Sequence, residues 1–348
     1  MRFSITGPRG QTPNAPDMPS PRPLPIFYIH SPITYTVAQR VIASKKLVDP
    51  IIIAGRRMPI AGSHVQVDDD GVRNPGRACA LLRALFDVVD TRPPSPLELY
   101  LPHTGLMLGK LVRSAKVFSS FYYIEEGTHA VDYWRQFVNV SVGDWQVDVA
   151  QLEAILRETG LLERLQIDDL NEVNRCGAVW FDSRSPRYGG AYAAVSSSFP
   201  DMKKVTLFRN WAQMRTLPLP DTWLCMVPMI FELLLSCPDN ERRYAYARKM
   251  IDTVAQIHAK AQAAGKLLVV KLHPIDYQRL PDEIKTALIG AAFDFPTFMA
   301  QMPLDTNLEA ALLGFEHFFT IGESTAVRYV SAFRDASEHT HIDFPARP

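Results

Sequence analysis

Apolar residues gather in short blocks along the chain, and the blocks alternate between two spacings. "LPIFYIHSPITYTVAQRVIASKKL" opens with an apolar run, Ile26 to Ile29, which predicts a strand. A polar loop follows, His30-Ser31-Pro32, and then Val37, Val41 and Ile42 recur at helical spacing. "DPIIIAGRRM" predicts a second strand, and "GRACALLRALFDVVD" a helix with Leu81, Leu82, Leu85 and Val88 on its apolar face. "LELYLPHT" reads as a strand, "GLMLGKLVRSA" as a helix and "FSSFYYIEEG" as a strand. "VDVAQLEAILRETGLLERL" has a helical pattern. From about 165 to 215 the rhythm breaks, and "DSRSPRYGGAYAAVSSSFP" predicts loop.

The second half resumes the alternation. "NERRYAYARKMIDTVAQIHAKAQAAGK" predicts a long amphipathic helix stopped by Gly265. "LLVVKLHP" reads as a strand, "TNLEAALLG" as a helix ending before Gly314, "FEHFFTIGES" as a strand, and "STAVRYVSAF" as the start of a helix. Strands alternating with helices imply parallel sheets covered on both faces. The expected fold is α/β, with two Rossmann-like domains facing each other across a cleft.

At 348 residues the chain exceeds what one hydrophobic core usually serves. The expected division is a flexible leader over 1–24, an N-terminal domain over 25–210 and a C-terminal domain over 211–348. The crossing falls where "RTLPLPDTW" concentrates prolines, and the first 25 residues of the chain carry seven prolines. No sequence repeat of fixed period stands out.

Thirty-seven basic residues balance thirty-seven acidic ones, so no global field steers the chain toward nucleic acid. Cys79, Cys176, Cys225 and Cys237 form no CxxC pair, which fits free thiols in a reducing compartment. The most apolar stretch, "WLCMVPMIFELLL", is too short to span a bilayer and contains Pro228. A soluble cytoplasmic protein is expected, peripheral at most to the inner membrane.

In open α/β sheets ligands bind at the carboxyl ends of strands, so polar residues there are the candidates. Glu125-Glu126-Gly127 ends an aromatic strand: a capped turn, or a carboxylate placed to take a proton from a hydroxyl. His273-Pro274 closes "LLVVKLHP"; a histidine there can donate to a phosphate, and proline fixes the backbone behind it. "TIGESTAVRYV" offers Gly322, then Ser324 and Thr325 opening a helix, as an anion site or a plain N-cap. His30, Ser31, His103 and Thr104 line the first domain's strand ends in this reading. Asp68, Asp69 and Asp70, before Gly71, make either a solvated turn or a metal-binding acidic motif.

Three of these pieces, in this order, resemble the motif set of bacterial GT-B sialyltransferases and polysialyltransferases. That family carries an acidic D/E-D/E-G motif in the N-terminal domain, then an HP motif and an S/T-S/T pair in the C-terminal domain. Here they are Glu125-Glu126-Gly127, His273-Pro274 and Ser324-Thr325. "YIHSPITYTVAQRVI" is also similar to the opening strand and helix of such enzymes. The hydroxyl pair is Ser-Thr rather than Ser-Ser, and the Pro-rich leader has no counterpart in the family.

The resemblance implies an inverting transferase that moves sialic acid, or a related nonulosonic acid, from a CMP-sugar to a cell-surface glycan: lipooligosaccharide, capsule or O-antigen. It implies no cofactor and no metal, because the donor is a substrate with a single phosphate. The general base maps onto Glu125 first and Glu126 second. The phosphate contact maps onto His273, with Ser324 and Thr325 beside it. Asp305 or Glu309 is placed for the ribose hydroxyls. Three alternatives stand beside it: a CMP-Kdo-dependent transferase, a metal-dependent UDP- or GDP-sugar transferase using Asp68 and Asp70, and a catalytically silent binding protein in polysaccharide export.

Overall fold

The structure, a computed structural model, describes residues 22–55, 60, 62–67, 74–104, 107–126, 147–175, 180–207, 219–301, 314–322 and 338–344. Residues 1–21 of the leader, Asp68 to Asp70, Gly127, Cys176, Asp305, Glu309, Ser324 and Thr325 lie outside the described residues. So do the helices expected at "TNLEAALLG" and "STAVRYVSAF".

Two sheets organise the chain, and every strand pairing in both is parallel. The first contains β1 (Leu24–Ile29), β2 (Ile51–Ala54), β3 (Val65–Gln66), β4 (Leu97–Leu101), β5 (Phe118–Ile124), β6 (Tyr188–Ala193) and β7 (Lys204–Thr206). Their order is β3-β2-β1-β4-β5-β6-β7. The chain thus winds outward from β1, returns to β4 on β1's other side, and continues the opposite way. The helices between these strands are α1 (Pro32–Lys45), α2 (Pro75–Val89), α3 (Met107–Ser114), α4 (Val149–Glu158), α5 (Leu161–Leu165) and α6 (Glu172–Arg175).

The second sheet contains β8 (Leu219–Met226), β9 (Leu267–Lys271), β10 (Phe293–Asp294), β11 (Phe315–Ile321) and β12 (His339–Ile342), in the order β10-β9-β8-β11-β12. Its described helices are α7 (Ile230–Ser236), α8 (Asn240–Ala263), α9 (Pro274–Arg279), α10 (Asp282–Ile289) and α11 (Phe295–Met299). Both strand orders are doubly wound, which makes the fold α/β with two Rossmann-like domains, the GT-B type of organisation.

Strand alternation sends successive side chains into two cores. Along β1, Ile26 and Tyr28 enter one core while Phe27 and Ile29 enter the other. In the second sheet Leu268 and Val270 face one core, and Val269 the opposite one. Burial on both faces is why these strands read as continuous apolar runs. Across β1, β4 and β5 the rings of Phe27, Tyr100 and Tyr122 stack at 4.3 and 4.8 Å, and Lys45 from the last turn of α1 donates to the Tyr100 hydroxyl at 2.8 Å. Burial, and then Glu98, push that phenol well above its ordinary pKa.

Capping follows the sequence. Ser31 accepts from the Thr34 N–H at the start of α1, Asn74 from the Arg77 N–H at α2, and Asp239 from the Arg242 N–H at α8. The helical pattern over 147–165 is split into α4 and α5 by a turn at Thr159-Gly160.

One expectation is overturned. "YGGAYA", inside the segment read as loop, is β6, and β7 follows it. Of the glycines that read as a turn, Gly189 serves a close approach instead, since a Cβ there would sit 2.3 Å from the Tyr122 ring on β5, and Gly190 takes φ 141°. Among the described residues no helix is long and apolar enough to cross a membrane. "WLCMVPMIFELLL" is divided between the end of β8 and α7, with Pro228 in the connection.

Candidate active site

The switch point of the first sheet lies between β1 and β4, where the two directions of winding diverge. His30 follows the last residue of β1, His103 lies two residues beyond β4, and Glu125-Glu126 follow β5. These three adjacent strands bring together groups 96 positions apart. His30 Nε2 lies 2.5 Å from Glu126 Oε2, and His103 Nε2 lies 3.6 Å from the same oxygen. The side chains of His30, His103 and Glu126 are 1%, 3% and 5% exposed.

Neighbouring rings hold the imidazoles. Tyr28 meets His30 edge-on with centroids 5.5 Å apart, and Trp180 packs on His103 at 4.3 Å. The chain beyond His103 is fixed by Thr104, whose N–H donates to the Trp180 carbonyl and whose hydroxyl bonds the Tyr123 hydroxyl at 2.9 Å. Helix α3 packs directly on this turn: a Cβ on Gly109 would stand 2.5 Å from Thr104 Cα. The Tyr123 hydroxyl also accepts from the Asp182 N–H at 2.6 Å, and Asp182 pairs with Arg113.

Glu125 takes a different place. Its side chain is fully buried, and one carboxylate oxygen accepts from the N–H of Ala194 at 2.5 Å and of Val195 at 3.4 Å, just past β6. Its own N–H donates to the Tyr192 carbonyl. The two glutamates therefore separate as strand alternation requires. It is Glu126, placed second on sequence grounds, that joins the histidines at the switch point. Glu125 ties the end of β5 to the chain after β6.

Ser31 acts as the N-cap of α1, its hydroxyl 2.7 Å from that of Thr34. In the second sheet, His273 is half-buried beyond β9, and its carbonyl accepts from the N–H groups of Asp276 and Tyr277 as Pro274 opens α9. Asp276, fully buried, accepts from the N–H of Ile230 at 3.0 Å and Phe231 at 2.8 Å, capping α7 and tying the β9 connection to that of β8. Gly322 follows β11 with φ 61°, and its N–H donates to the Ile342 carbonyl. His273 and Gly322 thus stand at strand ends on either side of β8.

Sequence reasoning placed His30 and His103 at strand ends but did not join them to Glu126. The signal for that was the strand order, which one sequence does not display. His30, His103 and Glu126 each offer a metal-ligating atom, and these atoms lie within 4.8 Å of one another.

No family model and no curated protein matches the sequence. Among solved structures, the UDP-N-acetylglucosamine 2-epimerase from Rickettsia bellii is similar at 13% identity, covering 88% of this chain and 76% of that one with a TM-score of 0.35. The glycosyltransferase SnogD from Streptomyces nogalater is similar at 12% identity, covering 88% and 78% with a TM-score of 0.36. At these scores neither likeness carries an argument about this chain.

Proposed function

We propose that the chain is an inverting GT-B glycosyltransferase that moves sialic acid or a related nonulosonic acid from its CMP-ester to a glycan acceptor, at the cytoplasmic face of the membrane. The observation that carries the reading is the buried Glu126 carboxylate held by His30 and His103 at the switch point of the N-terminal sheet. A carboxylate so placed is suited to general base work, and its imidazole partner fixes which oxygen is presented.

In this reading Glu126 removes the proton of the acceptor hydroxyl as that oxygen attacks the anomeric carbon. The bond from that carbon to the phosphate oxygen of CMP breaks, and its electron pair stays on the phosphate. Charge grows on the leaving group, so donors aimed at the phosphate contribute most. His273 supplies one, and Ser324 and Thr325 extend the same role. Glu125 gives up the first place as base, because its carboxylate is occupied by the backbone beyond β6.

Thermal shift and calorimetry with CMP, UDP and GDP, without added metal, test the donor class. CMP is expected to raise the melting temperature. His273→Ala is expected to weaken CMP binding at least tenfold, whereas Glu126→Gln keeps CMP affinity and loses turnover. Equal loss of CMP affinity in both variants overturns the division of roles. Stabilisation by UDP or GDP only with a divalent ion favours the metal-dependent alternative, and turnover of CMP-Kdo alone names a Kdo transferase.

A further inference from the structure

We propose that His30, His103 and Glu126 together bind one divalent transition ion of the zinc class. The inference uses the candidate site but not the reaction assigned to it.

Donor chemistry comes first. Two imidazoles and one carboxylate suit Zn²⁺ and Co²⁺, whereas Mg²⁺ and Ca²⁺ favour all-oxygen shells. Three protein ligands leave one position for water or a substrate oxygen.

Geometry is close to what an ion requires. Tetrahedral coordination at about 2.1 Å per bond separates ligand atoms by about 3.4 Å. His103 Nε2 and Glu126 Oε2 already stand 3.6 Å apart, and all three donor atoms fall within 4.8 Å. His30 Nε2, hydrogen-bonded to Oε2 at 2.5 Å, has to withdraw by about 1 Å, a small side-chain motion.

The framework is a sheet edge at the strands' carboxyl ends. The ligands come from the ends of three hydrogen-bonded neighbours, β1, β4 and β5, rather than from one long loop. Tyr28 and Trp180 back the two imidazoles. The side chains are nearly buried, so an ion entering here exchanges its water shell for fixed ligands. Ion and acceptor proton then compete for the same Glu126 carboxylate.

The test uses the untagged full-length chain stripped with chelator. Co²⁺ titration followed by visible absorption is expected to show one ion per chain with the intensity of four- or five-coordination. Zn²⁺ should displace it, and Mg²⁺ should not bind. His103→Ala and Glu126→Gln should each lower Zn²⁺ affinity at least about 100-fold, since losing a mere outer-shell partner already costs 10- to 100-fold. His341→Ala should change nothing.

The inference is overturned if wild type shows no saturable one-to-one binding, or only the weak spectrum of six-coordinate Co²⁺. It is also overturned if His341→Ala removes the site, which would assign the ion to the histidines of β11 and β12. The wild-type spectrum decides even where a variant fails to fold. Sugar transfer is assayed separately in chelator: ion binding without transfer defeats only the functional reading, and transfer without ion binding defeats only this inference.

Discussion

At the end of β5 the carboxylates of Glu125 and Glu126 diverge. Glu125 reaches the N–H groups of Ala194 and Val195 on the β6 side, and Glu126 reaches His30 Nε2 at 2.5 Å on the β1 side. One residue thus joins structure and its neighbour joins the site. Truncating Glu125 strips two backbone N–H groups of a buried acceptor, so Glu125→Ala is expected to lower the unfolding free energy by about 2–3 kcal/mol. Glu126→Gln keeps shape and should unfold near wild type while CMP release in the presence of acceptor falls at least about 100-fold, the usual range for losing a general base. Urea titrations and turnover measured on both variants check the pair. A stable but inactive Glu125→Ala, beside an active Glu126→Gln, would reverse the assignment.

Gly109 sets how closely α3 approaches the turn after His103. An added methyl would meet Thr104 Cα at 2.5 Å and its carbonyl carbon at 2.7 Å, and backbone atoms cannot swing aside. Alanine favours helix over glycine by up to about 1 kcal/mol, yet overpacking of this kind costs about 1–3 kcal/mol. Gly109→Ala should therefore lower the melting temperature despite the better helix former. It should also impair turnover, because the displaced turn carries His103. A melting temperature at or above wild type would show that α3 shifts freely.

The parts of the fold legible in the sequence share one property: strands with buried side chains on both faces, which read as apolar blocks broken at most by a few polar residues. β1, β2, β4, β5, β9 and β11 are of this kind. β6 was hidden because Gly189 and Gly190 mimic a turn, although the close approach of Tyr122 is what calls for Gly189. β8 carries Pro220 and Asp221 straight after its first residue, β10 spans two residues, and β12 is the polar "HTHI"; none leaves a periodic trace. The site divides in the same way. Strand-end placement singled out His30, His103 and the glutamates one by one. Their convergence depends on the pairing order β1-β4-β5, a long-range property that local spacing does not encode. Alternation required Glu125 and Glu126 to separate, but only the position of β6 decides which of them faces the histidines.

Cys79 and Cys225 sit in the two domains with no exposure. Burial pushes the Cys79 thiol up to about 11 and that of Cys225 up to about 12. Thiolate is the reactive form, so at pH 8 alkylation of both should run roughly 10²- to 10³-fold slower than for a free thiol of pKa near 8.5. Peptide mapping after brief iodoacetamide treatment should find these two unlabelled in the native protein and labelled in urea. Rapid native labelling of Cys225 would mean that the second sheet's core opens far more readily than its packing implies.

His339 gives the second domain a dependence on pH whose direction follows from its surroundings. Its pKa is lowered, first by burial and then by the nearby His341. Both rings contact the buried Thr320 hydroxyl, at 2.8 and 3.0 Å. That hydroxyl has one hydrogen to give, so the neutral His339 ring can serve as an acceptor that a protonated ring cannot. With the folded pKa below the unfolded value of about 6.5, the unfolded chain binds more protons between the two, and stability rises with pH there. The contribution is complete above the unfolded pKa and is lost as pH falls from about 6.5 through the folded value. Urea midpoints measured at pH 7.5 and 5.5 should drop on acidification. His339→Asn, which keeps a side-chain acceptor but does not titrate, should show a smaller drop than wild type. Equal drops in both proteins would remove His339 as a source of the acid sensitivity.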